Sequence, residues 1–194
     1  MQKPKDYDTA QRGGEFRRLP AGGYFCRVIR AEETKSSKTK KPMLKVAIDI
    51  AGGDFKDFYM ESFERKRKSN KDATWPCICY IVTITKDGDT SGAFKNFVEC
   101  IRESNKGWEP DWGDGFCDGL KGTILGVVFR EEEYLNKDGM LRVSTKPDYG
   151  HFVNIDDMAA GNFTVPERKL FEGNSFDDDI PDGFETINED DVPF

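Results

Sequence analysis

Apolar and polar residues begin to alternate after Gly22-Gly23. In YFCRVIRAEE, Tyr24, Cys26 and Val28 share one face of an extended chain while Phe25, Arg27 and Ile29 share the other. The period of two is cleaner in MLKVAIDI, where Leu44, Val46, Ile48 and Ile50 point one way and Met43, Lys45, Ala47 and Asp49 the other. Ala51-Gly52-Gly53-Asp54 has turn chemistry, and FKDFYMESF, Phe55–Phe63, reads as a third, aromatic-rich strand. WPCICYIVTI is a further apolar, strand-like stretch. The period then changes. Phe94, Phe97, Val98 and Ile101 follow at helical spacing, with Thr90 or Ser91 available as N-cap and Lys106-Gly107 as the stop. GTILGVVFREEEYL predicts a long apolar strand, Asn136-Lys137-Asp138-Gly139 a hairpin turn, and Met140–Lys146 the returning strand, interrupted at Pro147. DDMAAGNF allows one short turn of helix.

Three strands, a helix and a two-stranded hairpin predict a mainly β fold: a five-stranded OB-type barrel with one helix between strands 3 and 4. Residues 1–20 are polar and read as a flexible arm, 21–170 as the folded domain, and 171–194 as an acidic tail whose composition predicts disorder.

Charge sharpens this division. The 194-residue chain has a net charge of −7, yet nine of its 36 acidic residues lie from Glu172 onward, where there is no lysine or arginine. Residues 1–171 therefore carry 29 basic against 27 acidic side chains. A weakly basic body with a strongly acidic tail points to a charged partner such as nucleic acid. Cys26, Cys77, Cys79, Cys100 and Cys117 are odd in number and match no paired metal or redox spacing. They read as reduced, buried thiols of a cytoplasmic protein. With His151 the lone histidine, no metal site or cofactor is expected. No apolar run has the length of a membrane span.

Phosphate-loop, nucleophile-elbow and zinc-protease motifs are missing from the sequence. Glu131-Glu132-Glu133 offers carboxylates for a metal-dependent nuclease, but adjacent strand residues alternate faces, so at most two converge. Trp108 and Trp112 read as an apolar plug between helix and strand. Binding fits the composition better than catalysis. A single strand of nucleic acid needs a basic groove lined with exposed rings. The loop at 34–42 supplies Lys35, Lys38, Lys40 and Lys41, with Lys45 on the next strand. A second basic loop at 64–72 supplies Arg65, Lys66, Arg67, Lys68 and Lys71, and the last hairpin adds Lys137, Arg142 and Lys146. Phe58, Tyr59, Trp75 and Tyr80 are the candidate stacking rings, with Phe55 and Phe63 beside them. The reading requires these two basic segments to flank a surface on which some rings stay accessible.

The chain ends Glu189-Asp190-Asp191-Val192-Pro193-Phe194, and Asp177–Pro181 reads Asp-Asp-Asp-Ile-Pro. This tail resembles that of bacterial and phage single-stranded DNA-binding proteins. The body segments LPAGGYFCRVIRAEE, MLKVAIDIAGGDFKDFY and GVVFREEEY resemble a family of phage-encoded OB-fold proteins regarded as single-stranded DNA binders. The resemblance implies non-enzymatic, sequence-independent coating of single strands during replication, recombination or repair in the cytoplasm of an infected cell. Asp190, Asp191, Val192, Pro193 and Phe194 would then recruit replication or recombination proteins, and a homo-oligomer is compatible with that role. An acidic interaction module that never touches nucleic acid is the third reading.

Overall fold

The computed structural model describes residues 2, 3, 5 and 17–172. Most of the expected N-terminal arm, and the expected tail beyond Glu172, lie outside the described residues.

The alternating segments form β1 (Gly22–Lys35) and β2 (Pro42–Ile50), followed by α1 (Phe58–Ser69) and β3 (Ile78–Val82). Then come α2 (Gly92–Ser104), α3 (Phe116–Leu120), β4 (Ile124–Leu135), β5 (Leu141–Val153) and α4 (Ile155–Ala160). The five strands make one antiparallel sheet in the order β3-β2-β1-β4-β5. The fold is thus mainly β with a few helices.

β1 serves two partners. Its first half, Gly22–Arg27, pairs with β4, and Cys26–Lys35 pair with β2. The β1–β2 register slips between Val28 and Arg30, and the β4–β5 register slips between Val127 and Phe129. Such irregularities bend a strand and increase its twist. They coil this sheet around a core in which Val28, Val46, Ile48, Ile81, Leu125 and Phe129 meet Phe97 and Ile101 of α2 and Leu120 of α3. The coiling brings the two edge strands, β3 and β5, near each other, although no ladder joins them among the described residues.

Helix α2 follows its sequence signals. Ser91 caps it by accepting from Phe94 N, Phe97, Val98 and Ile101 are buried, and Phe94 is half-buried. The hairpin turn also forms: Gly139 has φ 72°, and Asn136 Oδ1 accepts from Asp138 N and Met140 N.

Three expectations are corrected. Phe55–Phe63 is not a strand: Gly53–Phe55 is a single 3-10 turn and α1 begins at Phe58. Tyr59 and Phe63 lie four apart, which suits one face of a helix as well as a strand. What decides is Asp49, fully buried near the end of β2, whose carboxylate accepts from Tyr59 N and Met60 N. These are two of the amide donors that a helix start leaves unpaired. The third strand is instead Ile78–Val82. Residues 64–72 are accordingly not a loop, because α1 continues to Ser69. Nor does Pro147 end the last strand, since β5 runs through it to Val153 with Pro147 opposite Phe129. β5 is an edge strand, where a missing amide donor is tolerated.

Candidate nucleic-acid interface

The turn between β1 and β2 is folded on one side chain. Ser36, buried, accepts through Oγ from Thr39 N at 3.1 Å and through its carbonyl from Lys40 N at 3.1 Å, while its own amide donates to Lys41 O at 2.9 Å. Lys40 takes the left-handed conformation, φ 59°, that this tight turn requires. Lys35, Lys38 and Lys40 are exposed and Lys41 is half-buried, so the turn presents a compact cluster of positive charge.

From this turn, β2 alternates. Leu44, Val46, Ile48 and Ile50 enter the core, and Lys45 lies on the outer face. Register places Lys45 between Glu32 of β1 and Tyr80 of β3. The Lys45 ammonium sits 2.7 Å from Glu32, which Arg30 also approaches at 2.9 Å. The hydrogen bond from Lys45 holds the Glu32 carboxyl below the usual glutamate range, with partial burial opposing it. Tyr80 is half-buried, and that burial pushes its phenol up while Lys45 pulls it down. The outer face of β1–β2–β3 thus carries a cation beside a half-buried ring, four residues along the chain from Lys41 of the lysine turn.

The other candidate rings gather at the opposite end of β2. Trp75 is half-buried, donates from its indole nitrogen to Ile48 O at 2.9 Å and lies 5.3 Å from Phe63. Phe58 is half-buried against Phe55. Tyr59 leaves the set of stacking rings: only 7% exposed, it lies over Phe129 in the core. Position N2 of α1 turns it inward, whereas a strand would have left its orientation open.

Arg65, Lys66, Arg67 and Lys68 are all exposed, as is every residue from Glu64 to Asp72. On a helix four successive side chains fan through about 300°, so they cannot converge on one groove. The lysine turn precedes β2 and α1 follows it, and Phe63 of α1 meets Trp75, whose indole reaches Ile48 near the far end of β2. A cleft walled by both segments could therefore use only part of Arg65–Lys68 at a time. Tyr80, Trp75 and Phe58 are half-buried. Arg142 is exposed and Lys146 half-buried on β5, in register with Tyr134 and Arg130 of β4.

Several basic side chains escaped the sequence reading. Arg17 lies over the Phe55 ring at 4.2 Å, Arg27 pairs with Asp57 at 3.2 Å, and Arg130 pairs with both Glu132 and Asp148. Arg17-Arg18 was visible as a basic pair just before the first strand.

The carboxylates proposed for a nuclease are committed elsewhere. Glu131 accepts from Arg168 Nε at 2.8 Å, Glu132 accepts from Arg130 at 3.1 Å, and Glu133 accepts from Phe171 N at 3.2 Å. Lys169 forms a parallel bridge with Glu132, which brings residues 168–171 alongside β4. Among the described residues no group of three or more His, Cys, Asp or Glu could hold a metal ion. His151 is exposed and bonded to Asp148 at 2.7 Å. Burial pushes the Cys79 and Cys100 thiols up to about 12, out of reach of a thiolate nucleophile at neutral pH. Trp108 fits the plug expectation, donating to Gly119 O at 2.7 Å. Trp112 does not: it is 64% exposed and stacked on Phe116, with Glu109, Asp111 and Asp114 around it in sequence. Among the described residues no helix is long and apolar enough to cross a membrane.

No family model matches the sequence, and a search of curated proteins finds no match either.

Proposed function

We propose that this chain is a non-enzymatic single-stranded DNA-binding protein that coats strands without sequence preference during replication, recombination or repair. The observation that carries this reading is the outer face of β1–β2–β3, where Lys45 and Tyr80 stand side by side next to the exposed lysines of the 35–41 turn. A flat ring accepts any base and a lysine cluster accepts any phosphate, so this pairing has no use for sequence. Base stacking is worth about 1–3 kcal/mol per base, which makes even one or two rings useful when several phosphates are also held.

The sheet order supports an OB-type barrel. β3-β2-β1-β4-β5 is the cyclic order of that fold opened between β3 and β5, and α2 falls between the third and fourth strands as the fold requires. β3 and β5 approach each other across that opening, although no ladder joins them among the described residues. We take the seam between those strands as the place where the barrel closes. The face assigned to DNA then coincides with the strand 2–3 surface that OB domains use for oligonucleotides.

Asp190, Asp191, Val192, Pro193 and Phe194, outside the described residues, would recruit replication or recombination proteins. Proline before the terminal ring lowers the ordering cost of docking, and the acids steer the approach.

The test is a salt-dependent titration of the full chain with oligo-dT, duplex DNA and RNA, read by intrinsic fluorescence. Oligo-dT should bind tightest, with log affinity falling against log salt at about −0.7 per phosphate neutralised. Equal affinity for duplex and single strands would overturn the reading, as would a salt-independent signal. Shortened oligonucleotide after incubation with Mg²⁺ would favour the nuclease instead.

A further inference from the structure

A second group of rings stands apart from the Lys45–Tyr80 face, where α2 meets the segment leading into α3. Trp112 lies flat on Phe116, with centroids 5.1 Å apart and planes at 6°. Phe94 of α2 meets Trp112 at 6.3 Å and Phe116 at 5.9 Å. Phe116 is buried and Phe94 half-buried, yet Trp112 is 64% exposed, more than any other large apolar side chain among the described residues. One face of the indole is thus held on the fold while the other is open to solvent. A large ring held in this way offers contact area at little further cost in ordering.

The surrounding charge selects the partner. From Gly107 to Leu120 the chain carries Glu109, Asp111, Asp114 and Asp118, all exposed, and no lysine or arginine. Asp111 folds back over Gly115, where an added side chain would strike its carboxylate. Burial pushes the Cys117 thiol of α3 up, and the Glu33 carboxylate from β1 adds to the effect. Lys95, beside Phe94, offsets one of these charges. A strand stacked on Trp112 would bring its phosphates against the carboxylates, so this ring is misplaced for nucleic acid. It suits a cation, because the face of an indole attracts an ammonium more strongly than any other side-chain ring.

Exposed ammonium groups lie at the same end of the molecule. Ser91, the cap of α2, donates its amide to Thr83 O at 2.9 Å, and Thr83 N donates to Pro42 O at 3.0 Å. Pro42 stands opposite Lys35 at the base of the lysine turn, which makes the aromatic group and Lys35, Lys38 and Lys40 neighbours. Complementary patches side by side on one chain suit a two-fold pair, in which each copy offers both. We infer that two copies of this chain associate through these surfaces, the open face of Trp112 and its carboxylates in each copy receiving the 35–41 lysine turn of the other. The inference stands apart from the single-stranded DNA reading. In the paired state the turn assigned above to phosphate is covered.

Sedimentation velocity of the full chain, over a range of concentrations at low and at high salt, tests this. A concentration-dependent dimer is expected at low salt and should weaken at high salt, where exposed charges are screened. Trp112→Ala, Asp114→Lys and Lys38→Glu should each weaken association about tenfold. An equimolar mixture of Asp114→Lys and Lys38→Glu should associate as well as the unaltered chain, since each reversed charge then meets its opposite. Asp114 and Lys38 are both exposed, so this pair decides the matter should near-UV circular dichroism show that Trp112→Ala disturbs the packing on Phe116. A monomer at every concentration overturns the interface. So does a mixture no better associated than its parts, or a dimer indifferent to these variants, whether the acidic tail or another surface holds it. Each of those results leaves the proposed function standing, because the oligo-dT titration reads it separately.

Discussion

On the face proposed for DNA, Glu32 would compete with a phosphate for Lys45. The ammonium that would meet a phosphate is held 2.7 Å from this carboxylate, and Arg30 leans on the same group. Both partners are substantially exposed, so the pair opens at little cost, as surface ion pairs do. Glu32→Gln should therefore raise affinity for oligo-dT several-fold and steepen the salt dependence by about 0.7, the increment for one further phosphate neutralised. Unchanged affinity and slope would mean that Lys45 does not meet the strand. Tyr80→Ala tests the ring beside it. The loss of one stacking partner, about 1–3 kcal/mol, corresponds to a complex weaker by about 5- to 160-fold at constant salt. Tyr59 teaches a different lesson at this scale. Sequence marked it as a ring but not as a core ring, because the inward turn depends on a helix that begins one residue earlier.

That helix is the element on which sequence reading failed, for an identifiable reason. Phe55–Phe63 satisfies strand alternation if Phe55, Tyr59 and Phe63 share a face, and it satisfies a helical face at the same positions. The deciding contact is Asp49, ten residues before Tyr59, which no local window weighs against the aromatic run. Asp49→Ala should leave the Tyr59 and Met60 amides without their buried acceptor. Hydrogen bonds to a charged group contribute about 1.5–3 kcal/mol, so the thermal midpoint should drop by roughly 5–10 °C. Burial raises the Asp49 carboxyl above the ordinary aspartate value, against the pull of its three amide donors. A folded-state value above the unfolded one means that this contribution is fully present below the ordinary aspartate range and declines as pH rises through the raised value. The advantage of wild type over Asp49→Asn should accordingly shrink from pH 4 toward neutrality. A constant gap between the two melting curves would contradict that assignment. By contrast, α2 and the Asn136–Gly139 turn were legible because their signals are local: a cap, a stripe and a turn sequence within one stretch.

For the whole molecule, sequence conveyed composition better than placement. It located two basic segments and a set of rings, but not that the second segment is helical, so that its four successive cations fan around α1 instead of lining one side. It also offered Glu131–Glu133 to a metal as the lesser reading, whereas Arg168 and Phe171 N, from a later part of the chain, engage Glu131 and Glu133, and neighbouring Arg130 engages Glu132. The charge division between body and tail carries its own prediction. Deleting Ser175–Phe194 changes the net charge from −7 to +1. DNA affinity should be preserved or strengthened, since repulsion falls, while pull-down of replication or recombination partners should be lost. A marked fall in DNA affinity on that deletion would mean that the tail itself belongs to the DNA site.

Amide chemical-shift mapping of the full chain against oligo-dT locates the bound strand most directly. The largest changes are expected from Lys35 to Lys45 and from Ile78 to Tyr80, on the outer face of the sheet. Changes confined to α2, α3 and the Trp112 region, with that face silent, would contradict the account.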